Sequence, residues 1–302
     1  MKTKLFSFVL MFTAFVNYAQ QDAQFTQYMY NTININPAYA GSRGAFSIFA
    51  LHRTQWVGLD GAPVTNVASV NTPLNESNLG LGVTIINDKI GPTTENTIST
   101  DVSYTVPTSE TFKLSFGIKA TANLFNLDIN KLNPADADPS IRDFNNKFTP
   151  NIGAGVYWHS DKAYIGFSIP NFIESKRYDD NEVAIFKEKI NYYLIAGYAF
   201  DMNESIKFKP ALLTKIVDGA PLQVDLSGNF MFNDKFVLGL AYRWSAAVSA
   251  MVGFQVSEGM YIGYGYDHDT TRLKNYNSGS HEIFLRYEIF KNNGKITTPR
   301  FF

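Results

Sequence analysis

From Lys235 to Trp244 every second residue is large and apolar: Phe236, Leu238, Leu240, Tyr242 and Trp244 share one face, while Val237, Gly239, Ala241 and Arg243 share the other. The next run keeps the parity, with Val248, Ala250, Val252 and Phe254 against Ser249, Gly253 and Gln255. Phe112, Leu114, Phe116 and Ile118 face away from Lys113, Ser115, Gly117 and Lys119; Leu222, Val224, Leu226 and Phe230 face away from Gln223, Asp225, Ser227 and Asn229. A period of two marks β-strands with two different faces. Here one face is large and apolar, and the other is small, glycine-rich or charged.

A soluble sandwich also alternates, with its apolar face as the core and its polar face in water, which gives no reason for glycine to collect on the polar side. Here Gly117, Gly153, Gly155, Gly166, Gly239, Gly253, Gly263 and Gly265 all fall opposite the apolar rows. That is expected where a curved wall leaves room for a filled lumen. Aromatics gather at run ends (Trp158, Tyr192 and Tyr193, Tyr242 and Trp244, Tyr264 and Tyr266), where an interfacial girdle places them. The pattern predicts an all-β fold, a transmembrane antiparallel β-barrel of the outer membrane.

The runs place strands near 44–53, 63–72, 79–88, 95–106, 111–125, 148–158, 161–169, 190–200, 205–217, 221–232, 235–244, 246–256, 259–267 and 281–290. That makes about fourteen, an even number as single-chain bacterial barrels require. The connections after every second strand are short, from Pro73–Asn78 to Ser257–Glu258, whereas the other set includes 54–62, 126–147, 170–189 and 268–280. Barrels of this kind carry tight periplasmic turns and longer outer loops, so the long set is assigned to the cell exterior. Two members of that set, near Asp218–Ala220 and at Ser245, are short.

The chain starts with Lys2 and Lys4 before an apolar stretch from Leu5 to Val16 and small or polar residues around Ala19. This reads as a secretory signal peptide over 1–19, too short in its apolar core for a membrane span. Residues 20–43 leave the alternation, with Phe25, Tyr28, Met29 and Tyr30 at helix-like spacing before Asn36 and Pro37. They form an N-terminal segment, a tail tucked into or under the barrel, with a plug or docking element as the functional reading. The barrel then covers 44–290 and a periplasmic tail 291–302.

Composition narrows the classes. Twenty-six Lys and Arg against 27 Asp and Glu give a net charge of -1, which excludes the basic excess of a nucleic-acid partner. Without cysteine there is no disulfide scaffold and no thiolate zinc site. A mean hydropathy of -0.13 hides membrane character, because alternation averages it away.

Chemistry is sparse. The four histidines, His52, His159, His268 and His281, lack a Gly-x-Ser-x-Gly elbow, and Ser280 beside His281 would point to the opposite face. No catalytic residue, metal or cofactor is assigned. Asp267, His268 and Asp269, or Asp136 and Asp138, are too few for an all-protein calcium site and read as solvated loops. The polar parity instead collects Asp101, Lys113, Lys119, Lys207, Lys209, Lys215, Asp225, Arg243, Glu282, Arg286 and Glu288. Mixed signs suit a salt-bridged, mostly closed interior rather than a selective pore. Arg53, Gln55 and Trp56, at the exit of the first strand, are the candidate partner contact, since Trp and Arg dominate interfaces. A girdle Trp with an Arg on lipopolysaccharide phosphate, or a loop that caps the lumen, explains them as well.

Gln24-Phe25-Thr26-Gln27-Tyr28-Met29-Tyr30, followed by Asn36-Pro37-Ala38-Tyr39-Ala40-Gly41-Ser42-Arg43, resembles the opening of the PorP/SprF family of type IX secretion membrane proteins of Bacteroidota. The resemblance continues in Arg53, Gln55, Trp56, Gly58, Gly61, Ala62 and Pro63, in Tyr266-Asp267 and Gly279-Ser280-His281-Glu282, and in the closing Pro299-Arg300-Phe301-Phe302. It implies an outer-membrane protein that works with type IX translocon or motor components. It further implies a part in export or surface retention of adhesin-like substrates, and in gliding motility where members glide. The alternative is an outer-membrane porin or transporter for small or hydrophobic solutes.

Overall fold

The computed structural model describes residues 24–74, 77–128, 131, 144–174 and 189–289. The expected signal peptide, the tail 291–302 with its closing aromatic block, and Asp136 and Asp138 lie outside them. Fourteen strands run β1 (Phe46–Thr54), β2 (Val64–Pro73), β3 (Leu79–Ile90), β4 (Thr93–Pro107), β5 (Lys113–Leu127), β6 (Phe144–His159) and β7 (Ala163–Ile169). They continue with β8 (Asn191–Tyr198, resuming at Phe200–Asp201), β9 (Ile206–Val217), β10 (Gln223–Phe232), β11 (Phe236–Arg243), β12 (Ala247–Gln255), β13 (Met260–Asp269) and β14 (Ser280–Ile289). Each pairs antiparallel with the next, and β1 pairs with β14 from Phe46↔Ile289 to Thr54↔His281, so the sheet closes on itself without an edge.

Closure explains why alternation is so regular. In a membrane every backbone group must be paired within the protein, and a closed antiparallel ladder achieves this while turning alternate side chains to lipid. Outward go Phe116, Ile118, Leu226, Leu238, Leu240, Val248 and Val252, all exposed apolar residues; inward go Ser115, Lys119, Asp225, Asn229 and Ser249, all buried. Trp158 marks one end of the outer surface, stacked on Phe112 at 4.3 Å, and Trp244 the other. Tyr193 departs from the expected girdle: it is buried on the inner face, while Tyr192 points outward.

One rim carries only short connections, from 74–78 to 256–259; the other carries 55–63, 128–143, 170–190 and 270–279. Its short members are 218–222, 244–246 and a third, Gly91–Pro92. The two are called here the turn rim and the loop rim.

The inner face is not only small and charged. Phe49, Leu51, Tyr157, Ile195, Leu213, Met231, Val237, Tyr261 and Phe284 point inward and form one apolar cluster with Tyr28, Met29, Tyr30, Ile33, Ala38 and Tyr39. Those last six belong to the segment before β1. Helix-like spacing there resolves into three single 3-10 turns, Tyr28–Tyr30, Thr32–Asn34 and Pro37–Tyr39, because the segment must follow the curved wall rather than pack one straight stripe. It begins near β10 and β13 by the loop rim, where Gln24 bonds Gln223, and leaves by the turn rim, where Ala40 accepts from Ser103 Oγ at 2.7 Å.

Wall glycines are its seats. A Cβ on Gly117 would stand 2.2 Å from the Ala38 nitrogen, one on Gly155 2.2 Å from Asn36 Oδ1, and one on Gly82 2.2 Å from Ile33 Cδ1. At Gly117 the clash is with backbone and cannot be relieved by a rotamer, whereas at Gly155 and Gly82 the Asn36 and Ile33 side chains would have to shift.

Two outcomes follow. Leu238→Arg and Val252→Arg each lower stability by about 2–4 kcal/mol near the bilayer midplane, read from urea midpoints of the folded band in lipid vesicles. Equal tolerance of Arg at inward Ser249 would reverse the assignment of faces. Gly117→Val leaves a barrel that inserts but cannot seat the segment, since the clash is with backbone; added protease then cleaves within 24–43 and bilayer conductance rises. A protected segment at wild-type conductance contradicts the seating.

Candidate functional site: the occupied lumen

Backbone in 3-10 turns and bends leaves N–H and C=O groups that no ladder satisfies, and inside the barrel they need partners from the wall. The inward polar residues supply them. Lys119 Nζ donates to the Ile33 carbonyl at 3.2 Å, Ser168 Oγ to the Ile35 carbonyl at 2.8 Å, and Ser69 Oγ to Asn31 Oδ1 at 3.0 Å. Asn36, fully buried, donates from Nδ2 to the Val156 carbonyl at 3.0 Å and accepts the Ala38 N–H at 3.0 Å, starting the Pro37–Tyr39 turn.

The strongest anchor lies towards the loop rim. Arg53 reaches inward from β1 and meets Asp267 of β13 at 2.7 Å and Glu282 of β14 at 3.0 Å. Glu282 accepts the backbone N–H of Thr26 at 3.1 Å and of Gln27 at 2.9 Å, and the Thr26 hydroxyl donates to Asp267 at 2.6 Å while accepting from Arg53 Nη1 at 3.2 Å. These four side chains tie the start of the segment to three strands. At the turn rim Arg43, three residues before the start of β1, holds Glu288 through two bonds.

The expected lumen residues therefore form separate pairs rather than one network. Asp101 and Lys119 pair at 3.1 Å, Asp225 and Arg243 at 3.0 Å, Glu282 belongs to Arg53, and Arg286 lies 3.7 Å from Glu288. Lys207 pairs with Asp234 at the turn rim, and Lys113 stands exposed at that same rim. Lys209 and Lys215 are buried beneath the rings of Tyr30 and Tyr193.

Arg53, Gln55 and Trp56 do not make one surface patch. Arg53 is 2% exposed and spent on the lock, because its parity in β1 is inward, so it is removed from the candidate partner contact. Gln55 and Trp56 remain half-exposed in the first loop. That loop is stapled to the 270–279 connection: Trp56 N–H donates to Ser280 Oγ at 3.1 Å, Val57 N–H to the Gly279 carbonyl at 2.9 Å and Ser278 N–H to the Val57 carbonyl at 2.7 Å. Trp56 sits at φ +46°, a strained conformation for a bulky residue that the staples hold.

Asp267, read from sequence as part of a solvated loop, is instead a member of the lock, whereas neighbouring His268 points outward. Ser280 faces in and His281 out, where its Nδ1 is 2.6 Å from the Tyr264 hydroxyl. Among the described residues no three His, Asp or Glu side chains gather to hold a metal ion. Thr26, Gln27 and Arg43 are parts of the site that chemical reading of the sequence missed, although they lie in the most distinctive block of the chain; no local signal tells that their partners are 240 positions away.

The barrel is similar to the toluene transporter TbuX of Ralstonia pickettii, at 10% identity and a TM-score of 0.50 over 84% of this chain and 91% of that one. It is also similar to the outer membrane protein Omp33 of Acinetobacter baumannii (7%, TM-score 0.48, 81% and 99%) and to the KdgM porin (9%, TM-score 0.38, 80% and 99%). Identities this low concern the outer-membrane barrel fold alone. No curated protein sequence matches the chain. A family model does, over residues 17–287, which include the inner segment and nearly every strand. The chain is thus an outer-membrane β-barrel that belongs to the type IX secretion system membrane proteins of the PorP/SprF family.

Proposed function

We propose that this barrel serves type IX secretion and gliding as a binding and assembly component, supporting export or surface retention of an adhesin-like substrate, and that it has no catalytic role. The observation that carries the reading is the lumen occupied by residues 24–43, held by the loop rim through hydrogen bonds from Thr26 and Gln27 to the carboxylates that Arg53 pairs, and by the turn rim through the buried Arg43–Glu288 ion pair. A barrel filled by its own chain offers its rims, not its bore, to partners. Translocon or motor components are the expected partners, alongside the substrate and lipopolysaccharide. With long connections outside, the loop rim is the surface face, and Gln55 and Trp56 are its candidate contact. A porin or transporter for small or hydrophobic solutes would require the segment to move aside, and its conductance in planar bilayers would match that of open barrels.

Three results test this. Gln55→Ala with Trp56→Ala leaves heat-modifiable migration normal but lowers the yield of co-purified translocon component or large adhesin per folded barrel at least tenfold, as loss of an aromatic anchor does. A normal yield removes both residues from the contact, and recovery of no such partner by the wild type refutes the assembly role. Arg53→Met costs about 3–5 kcal/mol, because two carboxylates stay buried without their cation, and adding Asp267→Asn and Glu282→Gln restores most of it. An unchanged urea midpoint for Arg53→Met would show that the lock carries no stability.

A further inference from the structure

By the loop rim the lumen has one cation for two carboxylates, Arg53 for Asp267 and Glu282; near the turn rim the ratio is inverted. There Arg43 and Arg286 share one carboxylate, Glu288. Arg43 takes it through two bonds, leaving Arg286 at 3.7 Å from it. Arg286 is 4% exposed, and its Nε and Nη1 are buried without a hydrogen bond. Its guanidinium carbon lies 5.7 Å from the centre of the Tyr30 ring and 5.4 Å from that of Tyr261. Lys209, fully buried, brings a third basic group to Tyr30, with Nζ 5.2 Å from the ring centre.

Arginine does not shed its proton in proteins, so two guanidiniums against one carboxylate leave one buried positive charge without a carboxylate of its own. A buried charge without a partner is expensive, and a buried N–H without an acceptor adds to the cost. Neutral aromatic rings lower the first cost through their faces but offer no acceptor in the guanidinium plane. Both deficits are met by one species: a small negative ion that accepts from Arg286.

We propose that this cluster binds a small inorganic anion, a halide or compact oxyanion, in the guanidinium plane against Nε and Nη1 of Arg286, and that the anion completes the seating of the inner segment on β13 and β14. It is a ligand site inside the barrel, separate from any rim contact, and does not rest on the secretion reading. Because Tyr30 and Arg43 belong to the segment and Arg286 and Glu288 to the wall, the anion couples occupancy of the site to retention of the segment.

The mature protein, folded in detergent with its segment in place, is moved into sodium gluconate, whose anion is too large for the site, and titrated with chloride, bromide or phosphate at constant ionic strength. Melting of the folded band should rise saturably, by about 5 °C once the anion is near a hundred times its dissociation constant. Arg286→Gln should abolish the saturable part and keep only the linear salt response that any protein shows. A flat wild-type response, or the same saturable rise in Arg286→Gln, overturns the proposal. Should that variant fail to fold, crystals of the wild type grown in bromide decide it: an anomalous peak within about 3.5 Å of Arg286 Nε or Nη1 supports the site, and its absence refutes it.

Discussion

Irregular backbone inside a membrane barrel has neither a ladder nor bulk water to satisfy it, and this one requirement organises the molecule. Residues 24–43 cross the lumen as short turns, so their carbonyls and amides look to the wall, and the wall answers with Lys119, Ser168, Ser103 and Glu282 at the heights where each is needed. The inward polar face of this barrel is thus a set of hydrogen-bonding positions matched to one peptide, and only secondarily a charged lining. Remove the segment and those groups are left to water, as in an open barrel.

Seats and anchors divide the labour. Glycines such as Gly117 and Gly80 let backbone approach backbone, which fixes depth; the apolar cluster around Tyr30, Tyr261 and Phe284 supplies the non-directional part of the affinity; the hydrogen bonds to Glu282 at one end and the Arg43–Glu288 ion pair at the other fix register along the axis. The segment precedes β1 directly, so it can enter as the barrel closes between β1 and β14 without threading a loop. Its two anchor carboxylates by the loop rim and the last one by the turn rim lie on β13 and β14, the second of which closes on β1, and this couples closure to seating.

On the proposed reading, an occupied bore moves recognition to the rims. The first loop is held in a strained conformation at Trp56 by bonds to the last long connection, a rigid presentation of a large aromatic at the loop rim. Rigid aromatic display suits protein contact better than solute passage.

Local sequence determined the strands and their faces, because side-chain direction in a strand depends only on parity, and lipid demands that one parity be apolar. Glycine on the polar parity marks positions where the inner face of a curved wall has room, and residues 24–43 pack against several of them. What local sequence could not assign was the work of individual inward residues. Arg53 looks like a surface residue from its neighbours Gln55 and Trp56, yet parity and closure turn it to Asp267 and Glu282, more than 200 positions away. Phe49, Tyr261 and Phe284 broke the rule of a polar inner face, because their partners are Tyr30 and its neighbours, not water. Pairing between residues so distant depends on strand register and on the path of the inner segment, and both exist only once the barrel has closed.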